Sequence, residues 1–74
     1  MKLGMLWFDN DKTRTLAEKV KRAAAFYAEK YGVEPNCCGV GLGTTDGVEA
    51  VGDIALEESR YWHRYDLWMG VSDD

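Results

Sequence analysis

Residues 37–43 read Cys-Cys-Gly-Val-Gly-Leu-Gly, and this run constrains the chain more than any other. Glycine recurs at every second position, at Gly39, Gly41 and Gly43. A period of two is the period of a strand, so Cys38, Val40 and Leu42 share one face and Cys37, Gly39, Gly41 and Gly43 the other. Glycine inside a strand weakens it unless something approaches the backbone closely. The run therefore predicts a strand over 37–43 with a bare face, covered by an aromatic ring or by a partner surface. A phosphate-loop reading fails, because the lysine ending and the following helix are both missing.

The opening stretch has the same period. Over Met1 to Phe8, Leu3, Met5 and Trp7 lie on one face and Gly4, Leu6 and Phe8 on the other. Large apolar residues on both faces predict a central strand, since each face needs cover. Asp9-Asn10-Asp11 is a turn. Thr15 and Glu18 then match a capping box, and a helix follows to about Tyr31, with Gly32 as its terminating residue. Its apolar stripe is Leu16, Val20, Ala23, Ala24, Tyr27 and Tyr31. Val33 to Asn36 is a loop, because Pro35 blocks helix.

Thr44 to Gly47 is a turn on its Asp-Gly signal, and Val48 to Val51 is a third strand. Residues 53–65 fit two readings equally, a short helix from Asp53 through Trp62 or a bent strand through Ile54 and Leu56. Leu67 to Val71 is the last strand, with Leu67, Met69 and Val71 on one face and Trp68 and Gly70 on the other. The predicted fold is α+β, a small two-layer sandwich in the order β-α-β-β-(irregular)-β. One main helix, about 15–31, covers one face of a three- to four-stranded sheet. The inner face is Leu3, Met5, Trp7, Cys38, Val40, Leu42, Leu67, Met69 and Val71. The second face holds Gly4, Leu6, Phe8, Gly39, Gly41, Gly43, Trp68 and Gly70, a flat apolar patch of the kind that marks an interface.

The chain has 74 residues, enough for one domain. A domain this short buries only about 60% of its unfolded surface and is marginal without some addition. A disulfide framework is not that addition, since Cys37 and Cys38 are neighbours on opposite faces of a strand. A second subunit is, and a homodimer through the glycine-lined face is expected. The net charge is −4 and uneven. Residues 12–30 carry six basic and two acidic groups, and the remainder three basic and eleven acidic. That balance disfavours nucleic acid as a partner, which needs phosphate neutralisation. With no signal peptide, lipidation motif or apolar span, no membrane association is expected, and the cytoplasm is the expected location.

Several motifs invite chemistry. Asp9-Asn10-Asp11-Lys12-Thr13 spells D-x-D-x-T after an apolar strand. It resembles the nucleophile motif of haloacid-dehalogenase-type phosphatases, which implies a metal-dependent phosphoryl transfer at Asp9 and Asp11. The resemblance covers five residues, and that family needs a larger parallel sheet with a distant lysine. Turn and helix-start carboxylates are the preferred reading. Cys37, Cys38 and His63 lack zinc spacing, so buried structural cysteines are preferred and no cofactor is expected. Arg60, Tyr61, Trp62, His63, Arg64 and Tyr65 form a run of the residue types enriched at binding hot spots, and this is the segment expected to contact a protein partner.

Met5 to Asp11, Tyr31-Gly32 with Pro35-Asn36-x-Cys38, and Leu67 to Val71 resemble a group of short uncharacterised prokaryotic proteins that open with an M-L-W-F-D-N-D-like run. Residues 44–65 depart from it. The resemblance implies a prokaryotic cytoplasmic protein associated with mobile elements, and it implies no activity. The expected function is a non-enzymatic interaction module. The alternatives are an acidic inhibitor or nucleic-acid mimic presenting Asp46, Glu49, Asp53, Glu57, Glu58 and Asp66, and a phosphoryl-transfer remnant at Asp9 and Asp11.

Overall fold

A computed structural model describes residues 4–45 and 47–72. Five strands and one helix follow in the order β1 (Met5–Phe8), α1 (Leu16–Tyr31), β2 (Cys37–Gly41), β3 (Ala50–Val51), β4 (Ile54–Ser59) and β5 (Asp66–Gly70). The strands form one mixed sheet in the order β1-β5-β2-β4-β3. β5 pairs antiparallel with both β1 and β2, so β1 and β2 run the same way with the last strand inserted between them. β2 and β4 are parallel, and β3 and β4 are antiparallel. The architecture is the expected α+β sandwich, with one more strand than the sequence suggested.

The helix forms where the sequence places it. The Thr15 hydroxyl accepts the Glu18 N–H at 3.2 Å, and the Glu18 carboxylate accepts the Thr15 N–H at 3.2 Å. At the other end Gly32 takes a left-handed φ of 75° and donates its N–H to the Ala28 carbonyl at 2.8 Å. Val20, Ala23, Ala24 and Tyr27 are buried beneath it, against Cys38, Val40, Val51, Leu67 and Met69. Two adjacent alanines let the helix approach the sheet closely, and Tyr27 fills the remaining depth. Among the described residues, no helix is long and apolar enough to cross a membrane.

Three expectations need correction, and one open reading is decided. β1 is an edge strand, not a central one. Side-chain parity reports which faces carry apolar residues, and it is blind to the lateral order of strands, which β5 decides by inserting beside β1. The predicted 37–43 strand stops at Gly41. Thr44 donates to the Gly41 carbonyl from its N–H at 3.3 Å and its hydroxyl at 2.6 Å, and Gly43 takes a φ of 77°. Leu42, expected on the inner face, is therefore exposed, and Gly43 lies in the turn rather than on the second face. The third strand is two residues, not Val48 to Val51. Residues 54–59 resolve as strand β4, joined to β3 by a Gly52-Asp53 turn with Gly52 at a φ of 59°. The expected inward residue Leu3 lies outside the described residues.

Candidate functional site

The sheet has two faces and one helix, so one face must find its cover elsewhere. Leu6, Trp68, Gly39 and Glu57 stand in one row across that outer face, on β1, β5, β2 and β4. Part of the cover comes from the turn after β4. It tightens by a Trp62 N–H bond to the Ser59 carbonyl at 3.3 Å and an Asp66 N–H bond to the His63 carbonyl at 3.1 Å. This folds residues 60–65 back over β2. The Trp62 indole lies directly on Gly39, and the His63 carbonyl would be 2.8 Å from a Cβ on Gly41. The Trp68 indole lies on Gly4 in the same way. Trp62 and Trp68 stack with ring centroids 5.4 Å apart and planes 9° from parallel.

Gly39 and Gly41 are thus explained by this chain's own Trp62 ring and His63 carbonyl, and Gly43 by the left-handed φ of the turn. Each glycine under a ring or carbonyl leaves room that a side chain would fill. Gly39 and Gly41 are therefore not an open docking floor, and the expected interface at the glycines has to shift. What stays open lies toward β1. Leu6 is 55% exposed and Phe8 60%, while Trp62 and Trp68 are half-buried beside them. Phe8 meets the Tyr65 ring edge-on at 6.2 Å. Tyr65 in turn carries the Lys19 ammonium at 5.3 Å and the Arg64 guanidinium at 6.0 Å from its ring centre. Tyr61 is 85% exposed, and Arg60, His63 and Arg64 are exposed on the same turn.

At the end of β1 the chain builds a second cluster. Asp9 is buried, and its carboxylate accepts the Asp11 N–H at 3.0 Å and faces the Arg14 guanidinium at 3.4 Å. Asp11 accepts the Thr13 hydroxyl at 2.6 Å and N–H at 2.8 Å and pairs with Arg14 at 3.1 Å. The Thr13 bonds, aided by Arg14, hold the Asp11 carboxyl below its ordinary value. These are the contacts of carboxylates that close a turn. The neighbouring cleft, lined by Asp9, Lys19, Thr44, Arg64 and Tyr65, encloses about 220 Å³, short of the ~300 Å³ at which small-molecule pockets begin. Among the described residues, no cluster of three or more His, Cys, Asp or Glu is placed to hold a metal ion.

The cysteines are buried on opposite faces and free. Burial pushes both thiols up, Cys38 to about 12, which is the reverse of what an attacking thiolate needs. The acidic residues are dispersed. Glu57 and Glu58 point to opposite faces of β4, Asp53 sits in the β3–β4 turn, Glu49 precedes β3 and Asp66 starts β5. Asp46 lies outside the described residues. Glu58 is exposed but tied to the loop after β2, accepting the Gly43 N–H at 2.8 Å and the Thr45 hydroxyl.

Two residues escaped the sequence reading. Phe26 lies off the apolar stripe of α1, 47% exposed, and stacks on Trp7 at 4.6 Å. An aromatic one position from Tyr27 was the available signal. Glu58 enters only among the acidic residues of the inhibitor alternative, and nothing in its neighbours announces the loop it clasps. No protein-family model, curated protein or solved structure matches this chain, so its function has to be argued from its own residues.

Proposed function

We propose that the chain is a small non-enzymatic interaction module that self-associates, with the apolar outer side of the sheet around β1 and β5 as its contact surface. One observation carries the reading. After the 60–65 turn has covered β2, Leu6 and Phe8 still stand more than half exposed beside the half-buried Trp62–Trp68 stack. Contiguous apolar surface of this kind marks an interface. A second copy is the favoured occupant because a 74-residue domain has little core of its own and closed two-fold pairs are the commonest assembly. Buried, unpaired cysteines support a reducing, cytoplasmic setting.

Sedimentation velocity from micromolar to millimolar concentration tests this. The expected result is a dimer whose dissociation is nearly indifferent to salt, because the contact is apolar. A monomer at every concentration overturns it. Binding only to a basic partner, lost at raised ionic strength, would instead favour the acidic-inhibitor reading.

A further inference from the structure

We infer that two copies pair antiparallel through β1, joining their sheets into one continuous ten-stranded sheet with Leu6 opposite Leu6 across a two-fold axis. This rests on the self-association proposed above and specifies its geometry.

The two edges of the sheet are treated differently. β3 is two residues long and flanked by Glu49 and Asp53, so it offers little to pair with. β1 is Met-Leu-Trp-Phe, without charge, proline or bulge. Natural edge strands usually carry one of those devices, because an open ladder edge is a template for another chain. An edge strand that is apolar on both faces and lacks them has the sequence of an interior strand. A second copy makes it one.

The ladder also fixes the register. The Asp9 N–H bonds to the Tyr65 carbonyl at 3.1 Å, in the same register that pairs Trp7 with Leu67 and Met5 with Met69. Bonded pairs alternate in an antiparallel ladder. The N–H and C=O of Leu6 and Phe8 therefore point to the open edge. A two-fold axis perpendicular to the sheet requires residues of like parity to face each other. Leu6 against Leu6 meets that requirement and uses the outward groups. It also sets each Phe8 opposite a Gly4, where its ring meets the Trp68 indole that lies on that glycine.

Both faces of such a junction are apolar. On the outer face it covers Leu6 and Phe8. On the helix face it closes the groove lined by Met5, Trp7, Phe26, Glu29 and Lys30. Trp7, which lines that groove, also has a buried indole N–H with no acceptor among the described residues. One acid and one base line the groove, so two copies meet there without net repulsion. At roughly 200 Å² per aromatic side chain, the open fractions of Leu6 (55%), Phe8 (60%) and Phe26 (47%) leave on the order of 300 Å² per copy. The pair thus buries at most about 600 Å² from these side chains, to which the strand backbones, Trp7 and Met5 add, against the ~1,000 Å² a specific interface needs.

Amide hydrogen exchange across a dilution series reads the junction directly. The Leu6 and Phe8 amides should be protected at high concentration and exchange freely on dilution, while Trp7 and Asp9 stay protected throughout. Leu6→Pro should weaken the dimer at least tenfold while keeping the monomer folded by circular dichroism, since the ladder to β5 leaves that N–H pointing away from it. Phe8→Lys should act likewise, and Leu42→Lys, on a remote exposed site, should not. A dimer whose Leu6 and Phe8 amides exchange freely overturns edge pairing and leaves self-association by another surface standing. A monomer at every concentration overturns both.

Discussion

Gly39 is the position where the outer face is most sharply determined. A methyl group there would overlap the Trp62 indole, so Gly39→Ala must push the 60–65 turn away or shift β2. Overpacking of this kind costs about 1–3 kcal/mol. Denaturant unfolding should show that loss, and the same substitution in a Trp62→Ala background should cost much less. Equal costs in both backgrounds would mean the ring does not sit on the glycine. Glu58 carries a prediction in pH. Its bonds from Thr45 and Gly43 lower its pKa from an ordinary 4.5. A depressed carboxylate stabilises fully above the unfolded value and loses that contribution as pH falls through the folded one. Urea midpoints should therefore fall below about pH 4.5, and less steeply in Glu58→Gln. Parallel slopes would show that the carboxylate does not hold the loop. The thiols are a third case. Disulfide-exchange reagents should label Cys37 and Cys38 only on unfolding, because both are buried with raised pKa values.

At the scale of elements, α1 is the best-defined piece, because its start, stripe and stop are all local. Thr15 donates nothing to the core, yet it satisfies the first turn together with Glu18. Thr15→Ala should cost about 1 kcal/mol, or roughly 4–8 °C in Tm for a domain of this size. Scanning calorimetry checks it, and an unchanged Tm would mean the capping box is idle in solution. The strands behave differently. Parity in β2 and β5 was legible, since Cys38, Val40, Leu67 and Met69 are all buried on the helix side as expected. The end of β2 was not, because beside the local Thr44 turn bond Glu58 holds the Gly43 N–H through a contact that only tertiary approach creates. The conformation of 54–59 was equally closed to reading. Ile54 and Leu56 pack on the core side, but three polar residues in six weaken a strand signal until β2 supplies a ladder.

For the whole molecule, the radius of gyration is 11.0 Å, close to the ~11 Å expected of a compact domain this long. Among the described residues, the core between helix and sheet is nine buried residues, of which two are alanines. A domain so thinly filled gains from any partner that binds only its folded state. Its Tm should rise with protein concentration if self-association is real, and scattering should show a radius that grows over the same range. A Tm independent of concentration, with a constant radius, would place the needed stability within the single chain and remove the physical motive for pairing.

Residue order by itself determined the helix, its caps, the facing of β2 and β5, and the need for a cover over the glycines. Each of these depends on neighbours within a few positions or on a period of two, and such information is local. Only the tertiary structure decided the rest. It chose the chain's own Trp62 and Trp68 as the cover, inserted β5 between β1 and β2, and left β1 at the edge. Lateral strand order and the source of a contact are long-range choices among surfaces of similar pattern. An apolar strand reads the same whether its second neighbour is another strand of its own chain or the matching edge of another copy.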